Sequence, residues 1–142
     1  MRLDPVRVVG GGEMGKGVVA TRRIEPGEVV LEFRGDLVAN RGSHTLQIAR
    51  DQHLEVEPPG RFVNHSCDPN CGIRGTRLLV ARHPIDRGDE ITFDYAMTEV
   101  EMAPLECGCG TPACRGTITG YAGLPEKRRR EYEGYISEYL RR

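Results

Sequence analysis

Five cysteines, at 67, 71, 107, 109 and 114, carry the narrowest chemistry in this 142-residue chain. Three of them lie in Cys107-Gly108-Cys109-Gly110-Thr111-Pro112-Ala113-Cys114, a C-x-C-x4-C run whose Gly and Pro let the backbone double back. Thiolates at this spacing can converge on one zinc ion, and a structural zinc normally takes four protein ligands. The run supplies three, so the fourth must come from elsewhere, and Cys67 and Cys71 are the cysteines that remain. Both sit in Arg61-Phe62-Val63-Asn64-His65-Ser66-Cys67-Asp68-Pro69-Asn70-Cys71, which sets a carboxamide, an imidazole, a hydroxyl and two thiols side by side. A loop that only connects strands uses Gly, Pro, Asn or Asp for its backbone angles and has no need of His and Cys in the same turn. The stretch therefore asks for a ligand, and a shared metal would draw the late cysteine loop over it as the roof of a pocket.

Short strands separated by turns must position these residues. The chain carries 18 Gly and 9 Pro, which favours many turns over a helical bundle. Apolar, β-branched stretches predict strands over Val6 to Val9, broken by Gly10-Gly11-Gly12, and over Gly17 to Ile24 and Glu28 to Phe33. Shorter extended pieces are expected at Thr45 to Ile48 and His53 to Val56, then at Arg77 to Ala81 and Glu90 to Tyr95. Ile24-Glu25-Pro26-Gly27-Glu28 and Ile85-Asp86-Arg87-Gly88-Asp89 repeat one pattern, read as two similar turns. One helix is expected, last in the chain and opening at Pro125, with Tyr132, Tyr135, Ile136, Tyr139 and Leu140 as its apolar stripe.

A net charge of −1 with 29% charged residues gives no global attraction to nucleic acid or membrane. The basic run Lys127 to Arg130 reads as a solvated face, so direct nucleic-acid binding is not expected. No apolar run approaches a membrane span. An odd cysteine count without a secretory signal segment fits a reducing compartment. The expected location is the cytoplasm, or the nucleus and chromatin in a eukaryote.

Four blocks together resemble one family. RFVNHSCDPNC, GDEITFDY (Gly88 to Tyr95) and CGCGTPACRG (Cys107 to Gly116) look like the SET-domain protein lysine methyltransferases with a post-SET zinc loop. GEMGKGVVATRRI (Gly12 to Ile24) resembles the family's Gly-rich first motif. The resemblance covers roughly residues 6 to 118 and implies a mainly β fold. That fold is a β-clip of small twisted sheets with a C-terminal pseudoknot, here followed by the one C-terminal α-helix. The implied division is a SET core over 1–105, a post-SET zinc loop over 106–118, and a linker with the helix over 119–142.

The family's cofactor is S-adenosylmethionine, and its substrate a lysine in a protein or peptide. By similarity, Gly15, Lys16, Gly17, Arg61, Phe62, Asn64, His65 and Tyr95 would contact the cofactor, with the cysteine loop covering its adenine. Zinc would be held by Cys67, Cys107, Cys109 and Cys114. Tyr95 is the implied catalytic residue, with Phe93 and Phe33 beside it; Phe93, lacking a hydroxyl, favours di- or trimethylation. Phe33-Arg34-Gly35 stands where the family usually has Tyr-x-Gly, so one hydroxyl is lost from the site. The alternative reading is a catalytically weak or inactive SET module that binds peptides or partners. Either form would be a monomer or a homodimer.

Overall fold

The computed structural model describes residues 4–12 and 15–141. Glu13 and Met14 of the Gly-rich motif lie outside the described residues, as do residues 1–3 and 142 at the ends of the expected divisions.

The chain opens with an antiparallel hairpin, β1 (Val6–Gly12) and β2 (Gly15–Ala20), in register from Val6↔Ala20 to Gly10↔Lys16. The glycines expected to break β1 instead continue it, with a register shift between Gly10 and Gly12. A side chain on Gly10 would place its Cβ 2.6 Å from the Gly15 carbonyl oxygen, so Gly permits the close approach. β3 (Val29–Glu32) follows, then β4 (Gly35–Val38), β5 (Thr45–Ala49) and β6 (Gln52–Val56), which form a three-stranded sheet in the order β4-β6-β5. Gly35 is required where β4 crosses β6, because a Cβ there would overlap the Glu55 carbonyl. A 3₁₀ turn over Gly60–Phe62 leads into β7 (Asn64–His65).

β8 (Cys71–Arg74) and β9 (Leu78–Ala81) complete a second three-stranded sheet, β3-β9-β8. β10 (Thr92–Phe93) pairs parallel with β7, in register Thr92↔Asn64 and Phe93↔His65. The strand expected up to Tyr95 stops early, because Asp94 caps a 3₁₀ turn over Tyr95–Met97 by accepting the Ala96 N–H at 3.0 Å. β11 (Leu105–Glu106) and β12 (Thr117–Ile118) pair antiparallel and flank the cysteine loop.

The two repeated turns are brought together. Gly27 and Gly88 each occupy the left-handed region, at φ 86° and 91°. Glu28 N–H reaches the Glu25 carbonyl and Asp89 N–H the Asp86 carbonyl, each at 3.0 Å. Ile24 and Ile85 then exchange reciprocal backbone hydrogen bonds of 2.8 and 2.9 Å, and both side chains are fully buried. They join one core containing Val18, Leu31, Phe33, Ile73, Leu79 and Met97.

The expected helix is α1, Glu126–Glu131, and it is shorter than its apolar stripe. Tyr132, Ile136, Tyr139 and Leu140 are buried, but they lie past the helix end and in a final 3₁₀ turn, Glu138–Arg141. Gly134, at φ 88°, ends the helical path. Backbone partners elsewhere replace the intrahelical bonds: Ile73 N–H donates to the Tyr135 carbonyl, Ser137 N–H to Met97, and Glu138 N–H to Gly75, at 2.8 to 2.9 Å.

Candidate active site and metal centre

Two cavities are lined by consecutive residues at the start of β7. One, of about 260 Å³, is lined by Phe33, Val63, Phe93 and Tyr95, with Arg41, His44, Arg61 and Leu105 among its other walls. The other, of about 330 Å³, is lined by Gly15, Lys16, Gly17, Asn64 and Glu90. Val63 belongs to the first and Asn64 to the second. Neighbouring residues of extended chain point to opposite sides, so one backbone step separates the two spaces.

The first cavity is aromatic. Phe33 packs on Phe93 with ring centres 5.6 Å apart, and Phe93 on Tyr95 at 5.2 Å. Tyr95 donates its phenol proton to the Val63 carbonyl at 3.1 Å. Burial, reinforced by the charges of Glu90 and Glu99, pushes this phenol up to about 12. It is therefore a neutral hydrogen-bond donor near neutral pH. The missing hydroxyl at Phe33 leaves Tyr95 as the phenol among the three rings.

In the second cavity, Asn64 Nδ2 donates to the Lys16 carbonyl at 3.1 Å and to Glu90 Oε2 at 2.8 Å. A Cβ on Gly17 would lie 2.9 Å from Glu90 Oε2 and 3.3 Å from Asn64 Nδ2, so glycine leaves this floor open. The Lys16 ammonium lies 4.8 Å from the Phe62 ring centre. Gly15, Lys16, Gly17, Phe62 and Asn64 are thus assembled on one side. Arg61 faces the aromatic cavity instead, 3.6 Å from Glu55.

His65 ties the aromatic cavity to the cysteines. Its ring sits 5.1 Å from that of Tyr95, and its Nδ1 accepts the Tyr95 backbone N–H at 3.0 Å. That bond assigns the ring proton to Nε2, which faces the Cys67 sulfur at 3.3 Å. Burial holds the imidazole down at about 4, so it is neutral.

Cys67, Cys107, Cys109 and Cys114 bring their sulfurs within 4.8 Å of one another. Of the two candidates left open by spacing, Cys71 stays in β8 opposite Ala81. The Cys67–Cys107 separation is 3.7 Å. That matches the edge of about 3.8 Å expected for a tetrahedron with Zn–S bonds of about 2.3 Å. Outer donors are present as well: Arg115 N–H lies 3.4 Å from the Cys67 sulfur, and the Thr111 hydroxyl 3.2 Å from that of Cys109. The donor set fits zinc.

Several residues with structural claims on the site were not assigned to it from the sequence. Asp94 is fully buried, and Arg115 clamps it with bonds of 2.6 and 2.9 Å. The Tyr132 hydroxyl donates to the same carboxylate at 2.8 Å. Glu90 fixes Asn64, and Glu99 accepts the Gln47 N–H at 2.9 Å beside the aromatic cavity. The available signal was an acidic residue between Phe93 and Tyr95 in an apolar segment, since a buried carboxylate needs a cation or several donors.

The SET domain family model matches residues 15–96, more than half of the chain. The trithorax histone-lysine N-methyltransferase of Drosophila virilis is 31% identical over 125 residues, covering 71% of this chain and 3% of that protein. The H3 lysine-4 specific histone-lysine N-methyltransferase of Schizosaccharomyces pombe is 31% identical over 127 residues, covering 72% and 14%. An H3 lysine-36 specific enzyme of Cryptococcus neoformans is 29% identical over 140 residues, covering 81% and 17%. The chain therefore spans a small part of these relatives' length. Among solved structures, KRYPTONITE in complex with mCHH DNA, an H3(1-15) peptide and SAH is similar at a TM-score of 0.64 and 25% identity, covering 82% of this chain and 30% of that one. A second KRYPTONITE complex, with mCHG DNA and SAH, gives a TM-score of 0.65 at 24% identity, covering 79% and 28%. With the motif residues arranged as above and the family model spanning the core, the chain belongs to the SET-domain family.

Proposed function

We propose that the protein transfers methyl groups from S-adenosylmethionine to the side-chain amine of a lysine in a protein or peptide. The observation that carries this reading is the Tyr95 phenol, held on the Val63 carbonyl where the aromatic cavity backs onto the Gly15–Asn64 cavity. The cofactor, when bound, supplies a methyl group on a cationic sulfur. In this reading its amino-acid end lies against Gly15, Lys16, Gly17 and Asn64, whose open glycine floor accepts close backbone contact. SAH in both KRYPTONITE complexes supports the cofactor class, and the H3 peptide in one supports the substrate class.

Phe33, Phe93 and Tyr95 form a narrow apolar wall for the aliphatic stem of lysine. The nucleophile must be the neutral amine; at pH 7 deprotonation of a lysine of pKa about 10.4 costs about 4–5 kcal/mol. A water-poor cavity near a sulfonium disfavours the ammonium and lowers that cost. Tyr95, protonated, orients the amine and cannot itself serve as a strong base. Transfer would further require the bound amine to line up with the methyl–sulfur bond, an alignment that Tyr95 and the aromatic wall would help to set. The cysteine quartet holds a structural zinc and fastens the 106–118 loop beside His65, and Arg128 of α1 donates to the Ala113 carbonyl of that loop at 3.4 Å. The Lys127–Arg130 run is partly engaged within the chain, Arg128 with Glu131 and Arg129 with the carbonyls of Tyr121 and Leu124, which supports a peptide rather than a nucleic-acid partner.

The test is transfer of labelled methyl groups from S-adenosylmethionine to lysate proteins by wild type, Tyr95→Phe and Asn64→Ala. The expected result is lysine methylation by wild type and its loss in both variants. SAH binding without transfer to any protein would instead favour a peptide-binding SET module, for which Phe33 in place of a tyrosine is the supporting observation.

A further inference from the structure

The fully buried carboxylate of Asp94 takes no part in the reaction as proposed above, yet it accepts four hydrogen bonds from three residues. Its Oδ1 accepts the Ala96 N–H at 3.0 Å and an Arg115 N–H at 2.9 Å; its Oδ2 accepts the second Arg115 N–H at 2.6 Å and the Tyr132 hydroxyl at 2.8 Å. An ionised carboxylate in an apolar interior is tolerated only with such compensation. Arg115 and Tyr132 lie 21 and 38 residues away along the chain, one just past the last cysteine, the other at the end of α1.

These contacts close a ring of interactions. Starting from the Cys67 sulfur, the first step is the Arg115 backbone N–H, at 3.4 Å. The Arg115 guanidinium then grips Asp94, whose next residue is Tyr95. The Tyr95 backbone N–H donates to His65 Nδ1 at 3.0 Å, and His65 Nε2 returns to the same sulfur at 3.3 Å. Both sides of the Asp94–Tyr95 peptide are thereby referred to one sulfur atom. The peptide can shift only if a charged pair or the imidazole contact breaks.

We propose that Asp94 is a positioning residue for methyl transfer: with Arg115 and Tyr132 it locks the backbone carrying the Tyr95 phenol to the thiol cluster. The cluster then does more than cover the site, because it sets where the phenol stands in the aromatic cavity. This rests on the reading of Tyr95 as the catalytic phenol, and its test separates the two.

The full chain, loaded with zinc, is compared with Asp94→Asn, Arg115→Lys and Tyr132→Phe. Ring NMR signals are recorded from the five tyrosines, with Tyr95 assigned through Tyr95→Phe. Metal content, kcat and the KM for a lysine peptide are measured on the same samples. We expect one zinc per chain in every variant, a displaced Tyr95 ring signal and an unchanged Tyr121 signal. The KM should stay within about threefold while kcat falls about 30-fold in Asp94→Asn and less in Tyr132→Phe, because roughly an ångström of misplacement costs about 100-fold. An unmoved Tyr95 signal with kcat within about threefold of wild type, in zinc-loaded variants, overturns the proposal, as does a loss that only tracks loss of zinc. If Asp94→Asn does not fold, the two milder variants decide. If wild type transfers no methyl group, the proposed function fails, and the Tyr95 signal alone still decides the clamp.

Discussion

At the scale of single residues, the role proposed for Tyr95 depends on a proton it keeps. Burial first, and the charges of Glu90 and Glu99 second, raise its phenol to about 12. Transfer measured against pH should therefore rise as more of the lysine becomes neutral, with no falling limb from Tyr95 between pH 7 and about 11. A decline setting in near pH 10 would show the phenol titrating at its ordinary value. Tyr95→Phe should lower transfer by about 100-fold or more while SAH affinity stays within about threefold, read by steady-state kinetics and calorimetry. Phe93→Tyr adds a hydroxyl to a ring whose centre lies 5.2 Å from that of Tyr95 and should shift products toward monomethyl-lysine by mass spectrometry. Undiminished trimethylation would contradict the assignment of that wall. The residues proposed for the site were easy to single out because NHSC, FDY and the cysteine run are compact in sequence. Asp94 was not, because its meaning lies in partners on other segments, which no local pattern reports.

Elements of two residues cannot be read from periodicity. β7 and β10 pair in parallel over Asn64–His65 and Thr92–Phe93, and this pairing sets Tyr95 beside His65. A strand pattern over Glu90 to Tyr95 was visible, but Asp94 caps a turn inside it. The C-terminal apolar stripe was visible too, and its residues are buried as expected except Tyr135, which is partly buried against the core. What periodicity missed is that the whole stripe lies past the helix end, held by Gly134 and backbone partners at Ile73, Gly75 and Met97. The repeated I-x-x-G-acidic turns pack face to face through Ile24 and Ile85. Since a Cβ at Gly27 or Gly88 meets nothing within 4 Å, alanine there should cost only the left-handed backbone penalty, about 1 kcal/mol at each site in denaturant unfolding. Gly72→Ala should cost distinctly more, because its Cβ would overlap the Tyr135 side chain that α1 delivers to β8. Equal costs at the three glycines would mean that residues 132–141 do not pack on β8 in solution.

For the molecule as a whole, the cysteine quartet and the buried tyrosines set the conditions under which it stays folded. Tyr95, Tyr132 and Tyr139 all have phenols raised by burial above the usual value of 10. Unfolded chain then releases its phenol protons at lower pH than folded chain. The stabilising contribution is complete below about pH 10 and is lost as pH climbs from there through about 12. The denaturant midpoint should fall over that window; a flat midpoint would contradict the buried phenols. A chelator should release one zinc and expose four reactive thiols, whereas Cys71, buried and raised to about 12, should react only on unfolding. The most direct test of the account is a crystal structure with SAH and a lysine peptide bound together. SAH should lie against Gly15, Gly17 and Asn64, with the lysine amine between Phe33, Phe93 and Tyr95 and directed toward the sulfur. SAH lodged elsewhere, or a lysine whose amine does not reach the Tyr95 phenol, would contradict it.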